Sequence, residues 1–127
     1  MSSENVNDYL EKIDAVTSLH PEYKKEAYTF VIMALHHTLT SIGEKRHITG
    51  QELSVGIKEY AREQFGPMAK TVLNYWGIHA TYDFGKIVYY LIDVGLMART
   101  ADDSIEDFRD VYSFEESFNE PIDYDIL

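Results

Sequence analysis

The sequence predicts a single, mainly α-helical domain, and three observations lead to that prediction. Apolar residues recur every three or four positions through most of the chain, which is the spacing of a helix with one buried face. Glycine or proline ends most of these periodic segments. The chain has 127 residues, of which 45% are hydrophobic, so it is large enough for one core. We therefore expect residues 1–127 to form one domain.

Within that domain, residues 1–43 are expected to supply two helices. The first runs from Asn5 to Ser18 and places apolar side chains at helical spacing. Pro21 fits the first turn of the second helix, where its missing N–H is not needed. Gly43 ends this helix in the position that favours a left-handed residue. The second helix carries the widest apolar face and is expected to lie at the centre of the core: Tyr23, Ala27, Phe30, Val31, Ala34, Thr38, Leu39 and Ile42.

Residues 47–112 are expected to form a winged-helix-like core. Thr49 and Glu52 have the spacing of a capping box and precede a third apolar-periodic helix, which Gly66 and Pro67 end. A short fourth helix follows from Pro67 to Trp76.

Thr81 is expected to cap the fifth helix, which Gly95 ends. A short β-hairpin after Leu96 is predicted from two segments. Residues 96–100 form its first strand, while residues 105–112 form either its second strand or an irregular helical turn. Residues 113–127 then give a short helix, which starts near Ser113, and an acidic tail.

Several segments together resemble a family of small bacterial proteins. The segments are HITGQEL, FGPMAKTVLNYWGI, TYDFGKIVYYLIDVGL, DDSIEDF and YSFEESF. They are similar in order to the family's HxSGQEL, FGxxA, WGI, TxDFG and acidic DF motifs, over about Ala27 to Phe118. Thr49 stands where the family has serine, and either residue caps a helix. The resemblance implies no activity, cofactor or catalytic residue, because none is established for the family.

The charge of the chain argues against nucleic-acid binding. The net charge is −11, from 22 acidic and 11 basic residues, and such a field repels phosphate backbones and anionic membranes. In a winged-helix arrangement, Thr81 to Val94 would be the recognition helix, and Lys86 is its only basic residue. A nucleic-acid-binding regulator remains an alternative function if distant basic residues converge: Lys24, Lys25, Lys45, Arg46, Lys58 and Arg62.

No catalytic, cofactor-binding or metal-binding residue is predicted. The chain has no cysteine, no P-loop, no G-x-G-x-x-G and no G-x-S-x-G motif. The DFG triplet at Asp83 stands without the other kinase motifs. His36 and His37 are adjacent on a helix, so they point about 100° apart and do not form a chelating pair. A metal-assisted enzyme, built from a folded cluster of histidine and carboxylates, remains a further alternative.

Tyrosines beside an acidic segment predict the favoured function, which is a protein–protein interaction or adaptor module. The partner is either another protein or a second copy of this chain. Tyrosine is enriched at interfaces because it combines apolar area with a hydroxyl. The alternative is that these rings complete the core. The predicted surface comprises Tyr82, Lys86, Tyr89, Tyr90, Asp102, Asp103, Glu106 and Asp107.

We expect a cytoplasmic location, since no signal peptide is recognisable and the absence of cysteine suits a reducing compartment. We also expect no contact with membranes. The longest uninterrupted apolar run, Phe30 to Leu35, is too short to span a bilayer.

Overall fold

Helices account for most of the chain in the computed structural model, which describes residues 3–118. The predicted acidic tail at residues 119–127 lies outside the described residues. The mainly helical prediction is confirmed. In chain order, the α-helices are α1 (Ser3–Leu19), α2 (Lys25–Ile42), α3 (Gly50–Phe65), α4 (Ala69–Tyr75), α5 (Thr81–Asp93) and α6 (Phe114–Phe118), and 3-10 helices lie at Gly66–Met68 and Ile105–Phe108.

Helix α2 lies at the centre of the core and packs against α1, α3 and α5. Most of the predicted inward residues are fully or almost fully buried, but Leu39 and Ile42 are only partly buried. The helix ends at Gly43, whose φ of 76° is left-handed and whose N–H donates to the Leu39 carbonyl over 3.1 Å. None of the helices in residues 3–118 is both long and apolar enough to cross a membrane.

The predicted start of α2 at Pro21 is wrong, because the helix begins at Lys25. Residues 20–24 form a turn instead. This turn carries Tyr23 into the core, where only 2% of it is exposed and its hydroxyl donates to Asp83 of α5. Lys24 N–H then donates to the Trp76 carbonyl over 3.1 Å. A helix through Pro21 would give up both contacts.

Helix α3 begins with the predicted capping box. The Thr49 hydroxyl accepts from Glu52 N–H, and the Glu52 carboxylate accepts from Thr49 N–H, each over 3.1 Å. Further along α3, Gly56 faces Thr38 of α2. A Cβ atom built on Gly56 would lie 1.9 Å from the Thr38 Oγ1 atom, so the crossing of these helices depends on a missing side chain.

Helix α5 does not start as predicted, since Thr81 is its first residue rather than its cap. The carboxylate of Asp83 caps the helix by accepting from His79 N–H over 2.8 Å and Ala80 N–H over 3.2 Å. The buried Thr81 hydroxyl donates to the Phe108 carbonyl over 2.6 Å, and it accepts from the backbone N–H of residue 111 over 3.1 Å. Thr81 thus ties α5 to the C-terminal segment.

The hairpin predicted after Leu96 is not confirmed, because residues 3–118 contain no strand, and with it the wing of the winged-helix-like prediction is not confirmed either. Side chains take the hydrogen bonds that a strand ladder would use. Asp103 accepts from Thr100 N–H over 2.7 Å, and Ser104 accepts from Glu106 N–H over 3.2 Å. These contacts fold residues 100–108 into tight turns and a 3-10 helix. The alternative of an irregular helical turn agrees with the 3-10 helix at Ile105–Phe108.

The C-terminal segment, residues 97–118, lies across α3 and α5. Phe108 fits against two glycines, since a Cβ on either Gly50 or Gly85 would approach its atoms to 2.9 Å. The Tyr112 hydroxyl donates to the Ser54 carbonyl over 2.7 Å, and Arg62 donates to the Ser117 carbonyl. The core is therefore closed by a segment that comes last in the described chain.

Candidate functional site

A cavity of about 200 Å³ lies where four segments meet. It is bounded by the C-terminal half of α2, the start of α3, the middle of α5 and residues 97–108. Its mouth includes the exposed residues His47, Thr49, Ala98 and Arg99. The cavity thus opens to solvent between the C-terminal segment and the connection that precedes α3.

The inner wall of the cavity is apolar. Two side chains come from α2 and two from α5, each pair four positions apart, so that both lie on the same helix face. The 3-10 helix adds Phe108, which approaches because Gly50 and Gly85 have no side chains. The apolar lining residues are Leu35, Leu39, Ile48, Leu53, Val88, Ile92, Met97, Ala98 and Phe108.

A histidine–aspartate pair lies at the mouth of the cavity. His47 Nε2 is 2.7 Å from Asp103 Oδ1, and Thr100 N–H donates to Asp103 Oδ2. Partial burial acts to raise the pKa of Asp103, but the hydrogen bonds from Thr100 and His47 outweigh it and lower that pKa below its ordinary value. When Nε2 donates to Asp103, Nδ1 is left as the acceptor of a neutral ring or as a second donor of a protonated one. The pair therefore holds the His47 ring in position at the mouth of the cavity.

Two arginines line the cavity, and their charges are used differently. Arg46 donates to both oxygens of Glu52, at 2.6 and 3.2 Å, and this pairing lowers the pKa of Glu52 to about 2. Arg99 instead lies over the ring of Tyr89, 5.6 Å from its centroid. Within residues 3–118, Arg99 forms no ion pair. Its charge is thus available at the mouth.

Tyr89 contributes a polar group that has no partner. Its hydroxyl oxygen is buried and makes no hydrogen bond with the described residues. Buried hydroxyls are almost always hydrogen-bonded, because a lone one loses water without compensation. Tyr89 also lines the cavity. A bound molecule or a water that reaches this hydroxyl would supply the missing partner.

The structure divides the predicted interaction surface into separate groups. Tyr89, Asp103 and Asp107 line the cavity, and Asp102 is exposed on the adjacent turn. Tyr90 instead stacks on His20, with ring centroids 3.5 Å apart, and its hydroxyl donates to Glu22 over 3.4 Å.

Tyr82, Lys86 and Glu106 form another group, which meets around Arg109. The Arg109 guanidinium lies 4.4 Å from the Tyr82 ring centroid and 2.5 Å from a Glu106 oxygen. The Lys86 Nζ atom lies 5.9 Å from the centroid of the same Tyr82 ring. This group is held together by one aromatic ring and its neighbouring cations.

Five of the six basic residues required by the nucleic-acid alternative, all except Lys45, are engaged in separate contacts. Lys25 pairs with Asp14 over 2.7 Å, and Arg46 pairs with Glu52. The remaining contacts of this kind are Lys24 over the Tyr75 ring, Lys58 over the Tyr112 ring and Arg62 on the Ser117 carbonyl. Within residues 3–118, no three histidine or carboxylate side chains are placed to hold a metal ion.

Sequence reasoning missed His47, Arg46 and Arg99 as members of a site. His47 and Asp103 are 56 positions apart, and no spacing rule links residues across such a distance. The one signal was local: His47 lies two residues before Thr49, which is the first residue of the capping box at the start of α3. The chain matches no protein-family model, and no curated protein or solved structure is significantly similar to it.

Proposed function

We propose that this domain binds a small molecule whose apolar part occupies the cavity between α2, α3, α5 and residues 97–108. The observation that carries the proposal is an apolar cavity of about 200 Å³ lined in part by Tyr89, whose buried hydroxyl has no partner among the described residues. Protein interiors pack like organic crystals, with few voids larger than a water molecule. A mostly apolar pocket with a few polar groups is the usual form of a small-molecule site.

The size of the cavity limits the ligand to a small one. An apolar cavity of about 150 Å³ is enough to hold a benzene ring. At about 200 Å³, this cavity accommodates one ring and a short substituent, or an aliphatic chain of similar volume. Nucleotides and other large cofactors do not fit within it. The polar groups at the mouth, His47 and Arg99, then face the part of the ligand that remains near solvent.

The interaction module predicted from the sequence stays a prediction, as does the resemblance to the bacterial family. Three members of the predicted surface, Tyr89, Asp103 and Asp107, belong to the cavity instead. The group around Tyr82 lies outside the cavity lining, so a ligand and a protein partner could occupy the domain together. Binding of the ligand and binding of a partner are thus separate questions for experiment.

Ligand binding can be tested by amide NMR with a set of one-ring fragments that includes neutral, anionic and cationic members. We expect chemical-shift changes concentrated at cavity-lining residues such as Gly50, Leu53 and Val88. A bound fragment should also raise the melting temperature, since a ligand at 100 times its Kd stabilises the folded state by about 2.7 kcal/mol.

Two tryptophan substitutions give a matched pair for this test. Leu39→Trp places a large side chain at the cavity lining, whereas Val55→Trp places one on the exposed side of α3. We expect Leu39→Trp to abolish fragment binding and Val55→Trp to retain it, with circular dichroism confirming that both variants fold. The proposal would be contradicted if fragments changed the chemical shifts of amides far from the cavity instead. It would also be contradicted if they bound Leu39→Trp as tightly as the natural sequence.

A further inference from the structure

We propose that the ligand is a monocarboxylate with a one-ring or short-chain apolar body, and that Arg99 binds its carboxylate. This inference rests on the proposed function and specifies the chemistry of its ligand. Three features of the structure support it: the charges at the mouth of the cavity, the position of Arg99 over the Tyr89 ring and the apolar inner wall.

Most charged groups around the cavity already have hydrogen-bond partners within the protein. Arg46 is bound at both of its outer nitrogens by Glu52. Asp103 accepts from His47 and from Thr100 N–H. Asp107 accepts from Ser104 N–H over 3.2 Å, in the first turn of the 3-10 helix. These carboxylates hold the C-terminal segment in shape, so they are poorly placed to bind a cationic ligand as well.

Arg99 differs from Arg46 because no carboxylate of the described residues is paired with its charge. It is exposed, it lies over the Tyr89 ring, and it forms no ion pair within residues 3–118. A guanidinium presents a planar fork of N–H donors that matches the two oxygens of a carboxylate. The aromatic face beneath Arg99 restricts its position, which lowers the entropy cost of ordering it on a ligand.

Tyr89 also lines the cavity, and its buried hydroxyl has no partner among the described residues. An exposed arginine beside an apolar chamber calls for a ligand that brings an acceptor and an apolar body. A dianion such as a phosphate monoester would bring twice the negative charge against a single unmatched cation, in a protein whose net charge is already −11. A monocarboxylate matches the single charge of Arg99, the fork of N–H donors on its guanidinium and the volume of the cavity.

The affinity of a ligand this small is expected to be modest. Its few non-hydrogen atoms and the overall negative charge of the protein set a Kd on the order of 0.1–1 mM for a simple probe. Because Arg99 is solvent-exposed, its pairing with a carboxylate should improve affinity by about fivefold over a neutral isostere.

The test compares benzoate with benzamide, which has the same ring and nearly the same shape but no charge. Amide NMR titrations of the full chain at constant ionic strength would give both dissociation constants. We expect benzoate to bind about fivefold more tightly than benzamide. In Arg99→Gln this preference should disappear. The control is Arg109→Gln, which removes an exposed arginine paired with Glu106 outside the cavity, and it should keep the preference.

The outcomes separate the ligand class from the proposed function. Equal binding of benzoate and benzamide, or a preference that survives in Arg99→Gln, would overturn the carboxylate assignment. It would leave a cavity that binds neutral rings, and the proposed function would stand. Failure of both probes to shift any cavity amide, up to their solubility limits, would overturn both proposals. If the preference for benzoate over benzamide were also lost in Arg109→Gln, it would come from the overall electrostatic field of the protein and not from Arg99.

Discussion

The crossing of α2 and α3 gives the sharpest test of how this fold is held together. Gly56 is fully buried against Thr38, whose hydroxyl donates to the Ala34 carbonyl over 2.7 Å. The substitution to examine is Gly56→Ala. Its new Cβ would lie 1.9 Å from Thr38 Oγ1, 2.9 Å from Cγ2 and 3.0 Å from Cβ.

Two effects of opposite sign determine the result. Alanine in the interior of a helix is favoured over glycine by about 1 kcal/mol. Against this, ordinary contact begins near 3.4 Å, so the closest approach is 1.5 Å too short (3.4 − 1.9). Thr38 is buried and hydrogen-bonded, so the helices must separate or the hydroxyl must lose its partner. Overpacking of this kind costs about 1–3 kcal/mol and sometimes more. We expect a net loss of stability of about 2 kcal/mol in Gly56→Ala.

Urea unfolding followed by circular dichroism measures this loss, and a double-mutant cycle identifies its cause. Thr38→Ala removes the two nearest atoms and should cost about 1 kcal/mol alone through its lost hydrogen bond. In that background the Thr38 Cβ still lies 3.0 Å away, and the helix propensity of alanine offsets this close contact. Gly56→Ala should therefore be close to neutral there, which corresponds to a coupling energy of about 2 kcal/mol. Val55→Ala, on the exposed side of α3, is the control and should change stability by about 0.5 kcal/mol or less.

Two results would refute the reasoning about this crossing. If Gly56→Ala is as stable as the natural sequence, helix propensity outweighs the contact and the helices are not closely packed there. If the substitution costs the same with and without the Thr38 side chain, the loss has another origin.

Two further predictions concern the polar contacts of α5 and α3. Thr81→Val should destabilise the domain by about 2–3 kcal/mol, because it leaves the Phe108 carbonyl and the Val111 N–H without their buried partner. Thr81→Ser retains the hydroxyl and should come within about 1 kcal/mol of the natural sequence in the same urea assay. Glu52 has a pKa lowered to about 2 by Arg46, so its charge contributes stability above the ordinary value of 4.5 that is lost as the pH falls toward 2. Glu52→Gln stays neutral, so it should be less stable than the natural sequence at pH 7 and equally stable near pH 2. The difference at pH 7 should be no more than about 1 kcal/mol, because the pair is half-exposed. A difference in stability that stays constant between pH 7 and pH 2 would contradict this prediction.

The helices could be predicted from the sequence because their signals are local. Apolar spacing located α2 and α5, and the pairing of Thr49 with Glu52 located the start of α3 within one residue. The start of α5 was mistaken, although its cap residue type was reasonable. Thr81 is a common capping residue, but here a tertiary contact with residues 108–111 uses its hydroxyl, and Asp83 takes over the cap.

The cavity could not be predicted, because it depends on where one irregular segment lies. Residues 97–108 carry turn-forming residues that suit a hairpin as well as the observed turns. Only the tertiary contact of Phe108 with Gly50 and Gly85 shows which face they cover. Arg99 and His47 both line the cavity through this placement, and neither lies within a recognisable binding motif in the sequence.

The position of Phe108 also implies that the binding site and the end of the described chain form one cooperative unit. The ring occupies the space left by two glycines on different helices, and one of its sides forms cavity wall. The segment is fastened further on by hydrogen bonds between Tyr112 and the Ser54 carbonyl and between Arg62 and the Ser117 carbonyl, and these contacts help to hold Phe108 in the cavity wall. By thermodynamic reciprocity, a ligand that requires the docked segment must lower the equilibrium constant for its detachment by the same factor by which detachment weakens binding of the ligand. Occupancy of the cavity would thus be read out at residues 112–118, which do not line it.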